Sequence, residues 1–450
     1  MEISIPQIVL FIVGLVIYLL KPSWLMLLWL ISTPLLGPFI VFFSGVTDFQ
    51  EQQEMVWGLW GVYNRLFMLI IFFNLFRRYR LVRNIQSILL PTALLLFYLV
   101  VHNLITHFYP TTILNETLSV VYTLVPLFVF LIDKKMWPSL KGLFIVAIVI
   151  CVVQLLFIPL NLQGIFTYSG RYQEILEGGT EALLMSGTFT RSNMMADYLS
   201  VIYMFITIDF FSRKSLSIFQ FIIVSAIIWI PLLFAGSKMP IVATVVNVFL
   251  CFALFNRKKF ALVGVVILLF LGLLNFLQSN NSGEVSSIDG VNRVVGEMSA
   301  FTQSKSKKGG DDESTFKFST DLIERYYWDA PLFGHGNAYK NDEYAYYSIL
   351  DTSGLKTDAT LAFYLVEYGI IGLCIYLFFQ FKLLSFSSFS IPPTIRRQVV
   401  LMIFTFFFLF AFTERGLFDK NYFIFIFTYM FGLARYYNEH VRLNSANSIK

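Results

Sequence analysis

Apolar runs long enough to cross a bilayer follow one another along almost the whole chain, most of them joined by short connections. Since a membrane-crossing helix needs roughly 20 consecutive apolar residues, this succession confines the chain to a polytopic bundle. Composition agrees, because 57% hydrophobic against 14% charged residues leaves too little polar surface to cover such a core in water. The runs place spans over 5–20, 22–45, 58–76, 87–107, 116–132, 142–162, 193–211, 217–235, 239–255, 260–278, 361–381, 398–413 and 421–438. The expected fold class is therefore all-α, with about 12–14 transmembrane helices. The second run contains Pro34, Gly37 and Pro38, the residues that would break it. The first run has no basic leader and no small-residue cleavage site, so it reads as a retained span. Cys151, Cys251 and Cys374 each fall inside an apolar run, which makes them core residues rather than a disulfide framework or a thiolate metal site.

One stretch departs from this pattern. Residues 279–360 form a long polar loop, dividing the chain into helices over 1–278, the loop itself, and a last group of helices with a tail over 361–450. Lysine and arginine collect in alternate connections, at Lys21, Arg77, Arg78, Lys134, Lys135, Arg213, Lys214, Lys258, Lys382, Arg396 and Arg435. Translocating such residues is unfavourable, so these connections are expected on the cytoplasmic side and the acidic long loop outside. Within the loop, apolar residues from Ile288 to Phe301 and from Phe318 to Tyr326 recur at helical spacing, and Pro331 stops the second series. The glycine-rich turn LFGHGNAY follows. No DxD, no cluster of histidine and cysteine, and no glycine-lysine phosphate loop occurs, so neither a metal nor a nucleotide cofactor is expected. Nothing in the chain suggests nucleic acid as a partner.

The residues able to carry chemistry are cations and acids on the outer side. Arg191, in GTFTRSNMMADYL, stands immediately before a span and adds charge to a helix N-terminus that is already partially positive, an arrangement suited to an anion. The bland alternative is an arginine snorkelling to the interface. Lys238, in AGSKMP, sits in an otherwise apolar two-span hairpin, where it is either a solvated tip or a cation with a partner. Arg171 is less constrained, and Arg293 lies in the long loop. Arg65, inside the third span, would serve either to pack against a carboxylate or to function. Arg325 has Asp321 and Asp329 four residues to either side and so could form a local ion pair. His335 stands between two glycines, where a histidine is ordinarily a turn residue but could act as acid or base. Asp358 precedes a helix and suits an N-cap as well as a general base.

Four segments resemble the O-antigen ligase and polymerase superfamily. The stretch from Thr357 to Gly372 is similar to that family's pair of polar residues followed by a span carrying E-x-G-x-x-G. PLFGHG at 331–336 resembles its P-x-x-G-x-G, GTFTRSNMMADYL its G-x-F-x-x-x-N-x-x-A, and AGSK stands where the family has G-S-R. The resemblance covers about 165 to 382 and implies a GT-C-like membrane fold. Ligases of the family carry histidine where this chain has Asp358, which favours a polymerase. Arg325, with ten residues between it and Gly336, is similar to the R-x10-G of the polymerases; Arg171 lacks the glycine. Lysine at 238 keeps the charge but loses the fork of an arginine.

The resemblance implies an enzyme of the bacterial cytoplasmic membrane that joins undecaprenyl-pyrophosphate-linked repeat units at its outer face. Asp358, Arg191 and Arg325 would be the catalytic residues; Arg171, Lys238, Arg293, His335 and Gly336 would bind the pyrophosphate or glycan. Membrane lipid and a chain-length regulator are further expected partners. The alternatives are a ligase transferring the glycan to lipid A-core, a lipid-linked oligosaccharide flippase, and a non-catalytic scaffold. A flippase would carry polar residues in the middle of several spans, whereas here they collect at the outer ends and in one loop.

Overall fold

A computed structural model describes residues 5–77, 82–106, 110–160, 164–165, 185–189, 192–213, 216–235, 238–255, 323–324, 327–335, 360–389, 391–411 and 420–447. Among them the chain is helical, with a single isolated bridge between Gly164 and Gly187. The helices are α1 (Ile5–Leu20), α2 (Pro22–Ile31), α3 (Gly37–Ser44), α4 (Phe49–Arg77), α5 (Val82–Thr106), α6 (Pro110–Ile132), α7 (Leu140–Phe157), α8 (Ser192–Arg213), α9 (Ile218–Phe234), α10 (Lys238–Phe255), α11 (Thr360–Ser388), α12 (Pro393–Ala411) and α13 (Lys420–Asn447). Every apolar run except 260–278 coincides with one of them or with a bent pair; that run lies outside the described residues. So does the loop helix expected over 288–301, and so does most of the one expected over 318–326.

By length and composition five of the described helices can cross a membrane, and the bent pair α2–α3 makes a sixth. Shorter apolar helices accompany them in α1, α9 and α10. Their outward faces are apolar: Leu20, Phe43, Leu90 and Ile105 are all exposed, as hydrocarbon rather than water requires. The break between α2 and α3 falls where Pro34 denies the helix a donor. A π turn over Ser32–Leu36 takes up the misfit, Ser32 Oγ donates to Leu28 O at 2.7 Å, and the axes bend by 43°.

The chain forms two units. One comprises residues 1–12, 27–62 and 141–311, the other 13–26, 63–140 and 312–450. In the first, α8 packs between α9 and α10 and is almost wholly enclosed. Helix α9 opens on a capping box, in which Ser217 Oγ accepts from Gln220 N while Gln220 Oε1 accepts from Ser217 N. In the second, α11 lies along α5 and also meets α12 and α13, while α6 packs on α13. Phe130 stacks on Phe431 at 4.7 Å between ring centres, and Arg435 Nη1 donates to Trp137 O at 2.6 Å, closing the end of that pair.

Candidate active site

The second unit is built around a broken helix. Gly369 lies inside the membrane-crossing part of α11 with φ 65 and ψ −175, a conformation essentially reserved for glycine. In a continuous helix the amides of Ile370 and Ile371 would bond to the carbonyls four residues earlier. Instead Ile370 N donates to Pro331 O at 2.9 Å and Ile371 N to Leu332 O at 3.3 Å, while His335 N donates to Val366 O at 2.9 Å. The turn PLFGH is thus threaded into the gap, and its own backbone supplies the partners that the break removed. Irregular backbone inside a membrane persists only when such groups are satisfied again.

The two glycines make the contact possible. Gly334, at φ +72, folds the turn so that its amide donates to Ala330 O at 2.8 Å. A side chain at Gly334 would begin 2.5 Å from Glu367 O and Gly369 N, and one at Gly369 would begin 2.3 Å from Leu332 O. Backbone therefore lies against backbone, without room for a methyl group on either side. Glu367, beside the break, is fully buried. From α5, Tyr98 Oη donates to Tyr368 O at 2.6 Å, and His102 Nε2 meets Phe333 O. Gly372 lets the Tyr98 ring approach, since a Cβ there would stand 2.8 Å from Tyr98 Cε1.

The first unit holds a second built turn. Gly187, at φ +58, lets Gln154 of α7 lie across the turn 185–189: Gln154 Oε1 accepts from Thr188 N at 2.9 Å, and Gln154 Nε2 donates to Thr188 Oγ1 at 2.7 Å. Met185 N donates to Phe234 O at 3.0 Å, at the end of α9. Ser200 Oγ of α8 donates to Pro240 O at 3.0 Å, in the first turn of α10. The start of α10 therefore lies against α8 at Ser200, more than two turns beyond the start of α8.

Of the residues singled out in the sequence, Lys238 is the first residue of α10, and His335 is half-buried with its amide in the interlock. His335 is thus a turn residue held by its backbone. Arg171, Arg191, Arg293, Arg325, Gly336 and Asp358 lie outside the described residues. Arg65 is exposed on α4 and is not packed into the core. Sequence reasoning missed Tyr98, His102 and Gln154. The available signal was a histidine within the apolar run FYLVVHNLIT, since an ionisable residue at membrane depth is a functional candidate by default. It also understated polar burial, because Asp197, Ser200, Thr207 and Asp209 of α8 and Asn247 of α10 are all enclosed.

Helices and apolar surface together define a multi-pass, all-α membrane protein whose second unit contains a broken helix. Residues 223–377 match the family model of O-antigen ligases, a stretch running from α9 through the long loop to α11. The match supports the resemblance to the O-antigen ligase and polymerase superfamily, whose members are glycosyltransferase-like membrane enzymes. No curated protein matches the chain.

Proposed function

We propose that the protein is a polymerase that joins undecaprenyl-pyrophosphate-linked oligosaccharide repeat units at the outer face of the bacterial cytoplasmic membrane. The observation that carries this reading is the interlock. Pro331–Gly334 of one motif and Glu367–Gly369 of the other, separated by a long stretch of sequence, are one structural element in which Gly334 and Gly369 each make room for the other's backbone. An anchor of this kind fixes both ends of the segment that holds Asp358.

In the reaction, a sugar hydroxyl of one lipid-linked repeat attacks the anomeric carbon of the growing glycan. The bond to the pyrophosphate breaks, and the lipid pyrophosphate leaves. Asp358 takes the hydroxyl proton. Arg191 and Arg325 stabilise the charge that develops on the phosphate oxygens, with Arg171, Arg293 and Lys238 contributing to the same anion. Lys238 is the first residue of α10 and Arg191 immediately precedes α8, and helix N-termini favour anions. His335 and Gly336 are assigned to binding the glycan.

Aspartate at position 358 favours polymerase over ligase, whereas the family description favours the ligase, with lipid A-core as acceptor. Both are tested by Asp358→Asn in cells. Asparagine caps a helix about as well as aspartate but accepts no proton at neutral pH. The variant is expected at normal abundance with single repeats in place of long polymer. Full-length polymer from it would remove Asp358 as the base. A wild-type protein that makes no polymer, yet transfers glycan to lipid A-core, would establish the ligase.

A further inference from the structure

We infer that His102, on a helix outside the family-matched stretch, is a positioning residue for the loop that enters the broken helix; the inference rests on the glycosyl-transfer reading above. Helix α5 lies along α11 and sends two donors to the interlock, one to each side of it. Tyr98 holds Tyr368 O on the helix, and His102 holds Phe333 O on the loop. A carbonyl oxygen can only accept, so Nε2 of His102 carries the hydrogen and Nδ1 bears a lone pair. That Nδ1 is buried and has no partner among the described residues. Leaving a polar atom unmatched in this way is unfavourable, so packing alone would be better served by an apolar ring. What histidine adds is the donor at Phe333.

The ring is also fixed in orientation. It stacks against Tyr98 at 5.5 Å and tilts against Tyr368 at 5.0 Å between centres, and only 5% of the residue is exposed. The peptide it grips is the one that enters Gly334, whose left-handed φ turns the chain toward His335. His102 therefore sets the direction in which the loop leaves the helix break. It touches no reacting atom. Its contribution is to hold the outgoing segment in one orientation, where a displacement of about 1 Å can lower a rate by up to about a hundredfold.

Three variants test this. His102→Phe keeps the stacked ring and loses the donor. His102→Gln places an amide nitrogen close to where Nε2 stands, whereas His102→Asn is too short to reach Phe333. The first readout needs no substrate: hydrogen exchange of the segment 331–335 in purified protein. Exchange there is expected to speed about fivefold in Phe and Asn and to return to the wild-type rate in Gln, with α12 unchanged. The second is polymer formation in membranes supplied with lipid-linked oligosaccharide extracted from cells lacking the protein. There kcat is expected to fall at least about tenfold in Phe and Asn with KM within about twofold, and Gln is expected to recover most of the rate. Unchanged exchange in both Phe and Asn overturns the inference, as does a kcat loss matched by an equal loss of folded protein. If His102→Phe does not fold, the contrast between Gln and Asn decides alone. A wild-type protein inactive on that substrate refutes the glycosyl-transfer reading instead, and the exchange result still judges His102.

Discussion

Gly334 and Gly369 show how much can rest on the absence of a methyl group. Each adopts a positive φ, and each would drive a side chain into the other segment's backbone. Gly369→Ala combines a glycine-only conformation with overpacking against atoms that cannot move aside, so it is expected to destabilise the protein by about 2–4 kcal/mol. Thermal unfolding in detergent would register this as a clear fall in Tm, and an unchanged Tm would refute the interlock. Arg191→Ala and Arg325→Ala belong to the opposite class. Each removes a cation from the proposed donor site, so abundance is expected to be normal while gel ladders collapse to single repeats. Both glycine motifs were legible in the sequence, but their contact was not. A left-handed φ leaves no periodic trace, and the meeting of residues 334 and 369 depends on a chain path that local spacing does not encode. His102 and Gln154 were hidden for a related reason, because each lies in an apolar run and declares itself only through the backbone atom it reaches.

Among the elements, the helices were largely readable, since a period of 3.6 in long apolar runs survives any tertiary context. Pro34 disclosed the break between α2 and α3, as a residue without an amide hydrogen must. The break in α11 gave no such warning, because its cause is a partner segment rather than a proline. Arg65 was left open between packing and function for want of any sign of which face of α4 it occupies, and its exposure removes the packed alternative. The turn 185–189 is the element most dependent on one side chain. Gln154→Leu would leave the Thr188 amide without its acceptor in a buried place, at a cost of about 1–3 kcal/mol. Differential scanning fluorimetry of purified protein is expected to show the loss, and Gln154→Glu, which keeps the acceptor, is expected to lose less.

At the scale of the molecule, the alternation of basic and acidic connections sets the expected sidedness. Reporter fusions at Lys135 and at Lys382 are expected to read as cytoplasmic, and a fusion near Asp311 as external. The reverse pattern would place the loop in the cytoplasm and remove the proposed access to substrate. Buried polar residues on α8 and α10 were not foreseen, because a polar residue facing a neighbouring helix looks in sequence like an interruption near a span end. The interlock has one more consequence, which concerns length. The bond from His335 N to Val366 O joins two residues far apart in sequence, a closure made by a hydrogen bond instead of a covalent bridge. The entropy of closing such a loop grows only with the logarithm of its size, about 0.6 kcal/mol for each doubling. Lengthening the chain between residues 335 and 366 is therefore expected to cost little in stability, provided that the clasp at its base stays intact.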